Sequence, residues 1–245
     1  MMTDRPPRTE HKGGRHREMP PVLQIGKSDP FYLEQFKALR ARIEYLVDQR
    51  KMKVIALTSA IAGEGKTLSS VKLAVNLASG QRRKILLIDL DLRKSDVARG
   101  LEIPSRPGLG EFLGGTENLK DIVRNTIVPG LYVIPGGRII QDPSPLLAAE
   151  KIRDFLGKVR GQFDVILLDT PPILPVADTL SLRDQVDGFL FLFRVGFTPH
   201  HMLRQALEEL GEANVIGVVL NGVEPPSVGY YQKYYGRYYH GNNKG

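Results

Sequence analysis

The chain has 245 residues, of which 42% are hydrophobic and 25% charged, and its formal net charge is +7. This length and composition predict one domain with a sizeable core. The absence of cysteine excludes a disulfide framework, a thiolate nucleophile and a cysteine zinc site, while the positive charge favours anionic partners such as nucleotides, lipid headgroups or nucleic acids without choosing among them.

The N-terminal segment, residues 1–28, combines proline, glycine, histidine and mixed charge, a composition that predicts a disordered basic leader. It lacks the apolar stretch of a signal peptide, and no apolar run in the chain approaches the ~20 residues of a membrane span. Composition leaves two roles open for the leader, a solvated segment or a contact with a membrane or an adaptor protein.

A first helix is predicted to begin at Asp29 and Pro30, which have the residue types of an N-cap and a first helical position. Apolar residues at helical spacing predict a stripe that packs on the core: Leu33, Phe36, Leu39, Ile43, Leu46 and Val47. Three charged residues lie toward the other faces of this helix: Glu34, Lys37 and Arg40.

A phosphate-binding loop follows the strand-like run 53–59, and a helical pattern begins after it at Leu68. In this strand, loop and helix order, backbone N–H groups wrap the phosphates, Lys66 reaches the β- and γ-phosphates, and the Thr67 hydroxyl ligates Mg²⁺. Ala60 replaces the first glycine of G-x-x-x-x-G-K-[ST]. The predicted nucleotide contacts in this loop are Ala60, Ile61, Ala62, Gly63, Glu64, Gly65, Lys66, Thr67 and Leu68.

Two carboxylate motifs each end an apolar run, at the strand end where parallel sheets bind ligands. Asp89 and Asp91 follow the first run, and alternation of side chains can aim both into one cleft. Asp169 ends the second run, residues 165–169, and is expected to hold Mg²⁺ directly or through water. Either motif alone also fits a turn or cap residue, but both behind a phosphate-binding loop favour a nucleotide site.

The remaining pattern alternates strands with helices and predicts an α/β fold, a mostly parallel sheet flanked by helices on both faces. The predicted strands lie near 53–58, 84–89, 131–135, 164–169, 188–194 and 215–221. Phe189, Phe191 and Phe193 are expected in the core, and His200 and His201 on the surface at a helix start.

Six of the nine tyrosines lie in the stretch 230–239: Tyr230, Tyr231, Tyr234, Tyr235, Tyr238 and Tyr239. Interrupting glycines and charges predict a flexible tail over 224–245, behind a domain over 29–223. The tyrosines are either phosphoacceptors for this domain or stacking platforms for single-stranded nucleic acid, with Lys233 and Arg237 on its phosphates. The phosphate site favours the first alternative.

These motifs resemble those of the bacterial tyrosine kinases (BY-kinases) of capsule and exopolysaccharide assembly, over about Phe31 to Tyr239. The family's loop often lacks the first glycine, its D-x-D-x-R motif is matched by Asp89, Asp91 and Arg93, and its D-x-P-P motif begins here at Asp169. Further matches are Pro143–Leu147 at the start of a helix, Val219–Gly222 at the end of the last strand, and Glu34, Lys37 and Arg40, where Lys37 replaces an arginine of the subunit-contact motif E-x-x-R-x-x-R.

The resemblance implies a P-loop fold of the MinD/ParA-like kind and an ATP- and Mg²⁺-dependent autokinase that phosphorylates its tail tyrosines in trans. It also implies a homo-oligomeric ring, octameric in the family, together with a membrane adaptor of the polysaccharide co-polymerase type and a cognate phosphotyrosine phosphatase. The implied location is cytoplasmic, peripheral to the inner face of the cell membrane through the adaptor. Nucleic acid is not an expected partner.

The expected roles are charge neutralisation for Lys66, proton acceptance for Asp89, and positioning of substrate or phosphate for Arg93. Thr67, Asp91 and Asp169 are the expected metal ligands, but the roles of Asp89 and Asp91 are interchangeable at this level. Asn221 is either a contact to the base or a turn residue at the strand end.

A second function class fits the same loop, namely a partitioning or positioning ATPase of the ParA/MinD type. Such proteins carry a signature lysine where this chain has Ile61, and a C-terminal amphipathic membrane helix where it has the tyrosine cluster. A third class, a non-enzymatic nucleic-acid binder, leaves the phosphate-site motifs unexplained.

Overall fold

A seven-stranded sheet organises the chain in the computed structural model, which describes residues 20–24, 29–80 and 83–224. The strand order is β3-β4-β2-β5-β1-β6-β7, and only the short β3 runs antiparallel to its neighbour among the described strands. The predicted mostly parallel sheet is confirmed. The strands are β1 (Val54–Ser59), β2 (Ile85–Asp89), β3 (Arg124–Asn125), β4 (Leu131–Ile134), β5 (Val165–Asp169), β6 (Gly188–Arg194) and β7 (Val215–Asn221).

The predicted strand boundaries differ from these bounds by a residue at most, apart from β3, which the sequence did not predict. Two residues are too few to produce a periodic pattern, so β3 has no signal of its own. The helices are α1 (Pro21–Gln24), α2 (Pro30–Arg50), α3 (Lys66–Gly80), α4 (Val97–Leu101), α5 (Leu109–Leu113), α6 (Leu119–Ile122), α7 (Ala149–Arg160) and α8 (His200–Leu210). Within the described part of the chain, none of them is long and apolar enough to cross a bilayer.

Helices cover both faces of the sheet and create two cores. Alternate residues of one strand face opposite cores, as Val54 and Ile55 of β1 do. One core lies under α5 to α8 and the other under α1 to α4. Because both faces are covered, the central strands are continuous apolar runs. Phe189, Phe191 and Phe193 are buried as predicted, and His200 and His201 are exposed at the start of α8.

The N-cap predicted for α2 is confirmed, since the Asp29 carboxylate accepts hydrogen bonds from Phe31 N at 2.9 Å and Tyr32 N at 3.3 Å. The predicted apolar stripe is only partly buried. Ile43 is fully enclosed, whereas Leu33 remains 38% exposed. The stripe is therefore wider than the face of α2 that packs on α3.

The prediction that Pro143–Leu147 opens a helix is wrong. These residues form a turn in which Leu146 N and Leu147 N both donate to Pro143 O, and α7 begins only at Ala149. Pro145 supplies no N–H and disfavours the helical conformation of Ser144, so the chain turns before the helix starts.

Candidate active site

The phosphate-binding loop connects β1 to α3 at the carboxyl edge of the sheet. Gly63 and Gly65 have φ of +86° and +90°, a region that other residues rarely adopt. A Cβ at Gly65 would also clash with Asn221 Nδ2. Ala60 needs no such freedom, because Lys51 and Glu102 are the residues other than glycine with positive φ in the described chain. Alanine is therefore compatible with the position of the missing first glycine.

Helix α3 starts at Lys66, two residues before its apolar pattern begins, so Lys66 and Thr67 belong to its first turn. Lys66 is only 8% exposed, and its Nζ donates to Ser59 Oγ at 3.0 Å. Burial lowers the pKa of the Lys66 ammonium, while the negative charges of Asp169, Asp91 and Glu64 act in the opposite direction. Lys66 is thus a cation close to several carboxylates of the protein. It lies in the first turn of a helix, where a bound anion is stabilised.

Asp169 lies beside the phosphate-binding loop because β5 pairs with β1 in parallel, with Leu57 opposite Asp169. Its carboxylate accepts from Thr67 Oγ1 at 2.7 Å and from Ser70 Oγ at 2.9 Å. Burial raises the pKa of Asp169 to about 6, against these hydrogen bonds and the charge of Lys66. The predicted proximity of Thr67 and Asp169 is thus present in the structure.

Asp89 ends β2 opposite Asp169 and is wholly buried. Its Oδ2 accepts from Ser95 Oγ at 2.7 Å and from Val97 N at 3.1 Å, and its Oδ1 accepts from Asp91 N at 3.2 Å. Burial and the charge of Asp169 raise the pKa of Asp89 well above its ordinary value, although the hydrogen bonds lower it. Asp89 therefore supports the loop that carries Asp91.

Asp91 is the partly exposed carboxylate of this motif. Its Oδ1 accepts from Lys94 N at 3.0 Å, and burial raises its pKa against that hydrogen bond and the charge of Lys66. The two carboxylates of the motif differ in exposure, since Asp89 is wholly buried and Asp91 only partly. The chain turns after β2, so strict alternation ends there and Asp89 is enclosed by residues 95–97.

Arg93 is engaged within the protein. Its Nε and Nη2 contact Asp178 Oδ2 at 3.2 Å and 3.1 Å, and its Nη1 donates to Gln141 O. Asp178 is buried and also accepts from Ser144 Oγ at 2.8 Å. Arg93 thus joins the D-x-D-x-R loop to the 141–147 turn and to the 3-10 helix Ala177–Leu182.

Asn221 and the charged residues of α2 also have partners within the protein. Asn221 Nδ2 donates to Glu64 O at 2.8 Å, so this side chain supports the phosphate-binding loop. Lys37 pairs with Glu34 at 2.6 Å on the surface, whereas Arg40 lies 3.7 Å from Glu44. The guanidinium of Arg40 lies against Gly80, the last residue of α3, where an added Cβ would be 2.6 Å from Nη1.

Sequence reasoning missed five polar partners that fix the site: Ser70, Ser95, Ser144, Asp178 and Thr198. Ser70 alone had a local signal, one helical turn after Lys66. The six tail tyrosines and residues 1–19 and 25–28 of the predicted leader lie outside the described residues. Residues 20–24 fall within that leader, yet they form α1 and the residue before it, and Leu23 is buried in a core.

The donor set around Thr67 fits a hard cation, because hydroxyl and carboxylate oxygens are the ligands that Mg²⁺ prefers. Residues 20–24, 29–80 and 83–224 contain no group of three or more His, Asp or Glu side chains that forms a metal site by itself. Phosphate oxygens and water would therefore have to complete the shell of a cation held by Thr67 and Asp169.

Comparison with known proteins supports this interpretation. Residues 52–186 match the family model described as an AAA domain. Tyrosine-protein kinase CpsD of Streptococcus agalactiae is 33% identical over 193 residues, which cover 78% of this chain and 82% of that kinase. Tyrosine-protein kinase ptk of Acinetobacter johnsonii is 31% identical over 86% of this chain, but the match spans only 29% of that protein.

The kinase domain of Escherichia coli tyrosine kinase ETK has a similar fold, with a TM-score of 0.78, 29% sequence identity, and coverage of 85% of this chain and 83% of that one. The similarity to CpsD extends over 193 residues, far beyond a phosphate-binding loop, and over most of both chains. The chain therefore belongs to the bacterial tyrosine kinase family, as its motifs predicted.

Proposed function

We propose that this protein is an ATP-dependent tyrosine autokinase that phosphorylates its own C-terminal cluster in trans. The acceptors are Tyr230, Tyr231, Tyr234, Tyr235, Tyr238 and Tyr239. One observation carries the proposal: the sheet brings Lys66, Thr67, Asp91 and Asp169 to one edge, in a chain that ends in a tyrosine cluster. Membership of the tyrosine kinase family supports phosphoryl transfer to tyrosine as the reaction at this edge of the sheet.

In the proposed reaction, the tyrosine oxygen forms a bond to the γ-phosphorus of ATP, and the bond from that phosphorus to the β–γ bridging oxygen breaks. The tyrosine proton passes to a carboxylate, since a phenol with a pKa near 10 is protonated at neutral pH. Asp91 is better placed to accept it than Asp89, because both oxygens of Asp89 are occupied and enclosed. Lys66 neutralises charge on the β- and γ-phosphates.

Mg²⁺ supplies charge neutralisation when it is bound, and Thr67 and Asp169 are the residues that would hold it, with Asp91 nearby. The amides of the loop bind phosphate oxygens, which the first turn of α3 also favours. Arg93 acts in this proposal by holding the Asp91 loop through Asp178, and its contact with a phosphate is not needed.

The cellular setting follows from the family resemblance. We expect a kinase at the inner face of the membrane, held there by an adaptor, that regulates capsule or exopolysaccharide synthesis and export. We also expect assembly into a ring through α2 and dephosphorylation by a phosphotyrosine phosphatase. The pair Glu34 and Lys37 lies at the surface, whereas Arg40 is less exposed and packs beside Gly80.

The decisive experiment is incubation of the purified protein with Mg-ATP, with and without a membrane adaptor fragment, followed by mass spectrometry of the tail. Phosphate should appear on tyrosines within 230–239. Phosphate on serine, or none with the adaptor present, would reject the kinase assignment. Lys66→Met should abolish the reaction, because the charge on the phosphates is no longer neutralised. Circular dichroism should show that this variant keeps its fold, and persistent phosphotyrosine in it would point to a contaminating kinase.

A further inference from the structure

Glu64 is a buried carboxylate in the phosphate-binding loop, and the reaction described above does not use its side chain. Its Oε2 accepts from Ile61 N at 2.9 Å. Its Oε1 accepts from Arg194 N at 3.1 Å and from Thr198 Oγ1 at 2.6 Å. One carboxylate thus joins the phosphate-binding loop to the end of β6 and the segment after it, 130 and 134 positions further along the chain.

Three further contacts strengthen this junction. Arg194 Nη1 donates to Gly63 O at 3.0 Å, and Asn221 Nδ2 donates to Glu64 O at 2.8 Å. The Phe197 ring lies against Gly63, where a Cβ would be 3.3 Å from Cζ. We call this set the Glu64 clamp, and its members are Gly63, Glu64, Arg194, Phe197, Thr198 and Asn221.

A negative charge in this loop opposes the binding of a polyphosphate, so its presence needs a reason. Ile61 N and Arg194 N can only donate hydrogen bonds, and each contacts a different oxygen of Glu64. A carboxylate accepts at both oxygens, whereas a glutamine amide would place its NH₂ group against one of these donors. The geometry therefore requires an acceptor-only side chain, and Lys66 offsets part of the charge.

We propose that Glu64 is a positioning residue for the nucleotide, and that its side chain holds the phosphate-binding loop and residues 194–198 in the arrangement that binds phosphates. The inference rests on the proposed function only in that this site binds Mg-ATP. The side chain of Glu64 acts through the backbone of its own loop and touches no phosphate itself. Without the clamp, the loop has to become ordered during binding, which weakens affinity.

The first test is Glu64→Gln. An unpaired buried donor shifts an equilibrium by roughly 5- to 100-fold, so we expect the Kd for Mg-ATP to rise by roughly 10- to 100-fold in a titration with a fluorescent nucleotide. The kcat at saturating ATP should change by less than about threefold, because the lost contact acts on binding. The matched control is Glu208→Gln on the exposed face of α8, which should leave both constants unchanged.

A milder pair of variants covers the case in which Glu64→Gln does not fold. Thr198→Val removes the hydroxyl that donates to Glu64 and should raise the Kd about tenfold, whereas Thr198→Ser keeps the hydroxyl and should restore the Kd to within about twofold. Hydrogen exchange of the nucleotide-free protein gives a second readout. The amides of Ile61 and Arg194 should exchange slowly in the wild type and faster in Thr198→Val.

A wild-type Kd in Glu64→Gln, or in Thr198→Val when the first variant does not fold, would overturn the clamp. So would a lowered melting temperature with unchanged affinity, because that result describes a merely structural role. The kinase assignment fails separately, if the wild type binds Mg-ATP tightly yet forms no phosphotyrosine. That outcome leaves the clamp intact.

Discussion

Three aspartates and one lysine set the electrostatics of the site at the scale of single residues. Burial raises the pKa of Asp89, Asp91 and Asp169, and it lowers that of Lys66. Perturbed groups of this kind cluster where charge has to be stabilised during a reaction. Without nucleotide, the carboxylates are costly to keep ionised, and a bound cation would relieve that cost.

We predict different effects for the two carboxylates of the D-x-D-x-R motif. Asp91→Asn should lower the rate of phosphoryl transfer by roughly 10²–10⁴-fold with little change in nucleotide affinity, because it removes the accessible proton acceptor. Asp89→Asn should mainly lower stability, because each oxygen of Asp89 accepts from a backbone N–H, so an amide NH₂ would face a donor. The partners of Asp169 are hydroxyls, which can turn to accept from an amide. Transfer assays beside urea unfolding distinguish the two, and the reverse pattern would restore Asp89 as the base.

Asp169→Asn should stabilise the nucleotide-free protein at neutral pH while it weakens Mg-nucleotide binding. The pKa of Asp169 is about 6 in the folded protein against a usual 3.8, so the folded state keeps a proton that the unfolded chain has lost. The contribution of Asp169 to the free energy of unfolding therefore falls as the pH rises from 3.8 to about 6. Above that range, the full cost of keeping the buried carboxylate ionised remains. A gain of about 1–3 kcal/mol is expected for the variant at pH above 7.

Urea unfolding in EDTA, from acidic to neutral pH, measures this effect as the difference between wild type and variant. Asp89 and Asp91 titrate in the same sense, so part of the slope persists in the variant. Asp154→Asn on the exposed face of α7 is the control and should show no such difference. A wild type that is as stable as Asp169→Asn at every pH would contradict the burial argument.

At the scale of elements, Arg93 links three segments that are separate in the sequence. Its contacts to Asp178 and Gln141 tie the loop after β2 to the 141–147 turn and the 3-10 helix. The side chain of Asp178 is 3% exposed and that of Arg93 is 34% exposed, so the pair is only partly screened by solvent. Such a link fixes the position of Asp91 from outside its own loop.

Asp178→Asn should therefore destabilise the protein by about 2 kcal/mol and lower the transfer rate more than nucleotide affinity. The matched control is Asp96→Asn, since Asp96 pairs with an Arg99 that is 79% exposed, and such pairs contribute about 0–1 kcal/mol. Chemical unfolding and a transfer assay check both changes. Equal losses in the two variants would mean that the Arg93 link has no special role.

At the scale of the whole molecule, the tail is predicted to act as an electrostatic switch of assembly. Residues 225–245 contain three basic residues and no Asp or Glu, and the chain carries a formal net charge of +7. Six phosphotyrosines would add roughly −9 to −12 charges. By resemblance to the family, an unphosphorylated tail is expected to occupy the active site of a neighbouring subunit. Phosphorylated tails should be repelled by the carboxylates of that site and leave it, although salt screens the more distant pairs.

Light scattering should show a large oligomer for the dephosphorylated protein and a monomer or small species after phosphorylation. Replacement of all six tail tyrosines by phenylalanine should make the size insensitive to ATP. If both phosphorylation states have one mass at several concentrations with Mg²⁺ present, the switch is rejected while the kinase assignment stands.

The sequence by itself determined the class of fold and the location of the site. Apolar runs buried on both faces predict parallel strands. The glycine loop follows β1, Lys66 follows the loop and Asp169 ends β5, so local patterns were sufficient. The tyrosine cluster is likewise a local feature of the sequence. Its role as phosphoacceptor stays a prediction, because the cluster lies outside the described residues. Each of these sequence signals involves residues that lie close together along the chain.

Only the tertiary structure decided which polar groups meet. Asp91 is partly exposed and Asp89 is buried because Ser95 and Val97 fold back onto Asp89, which strand alternation does not reveal. Arg93 contacts Asp178 across 85 positions, and Glu64 contacts Thr198 across 134. Such pairs leave no periodic trace in the sequence, because the sheet brings together strand ends that are far apart along the chain.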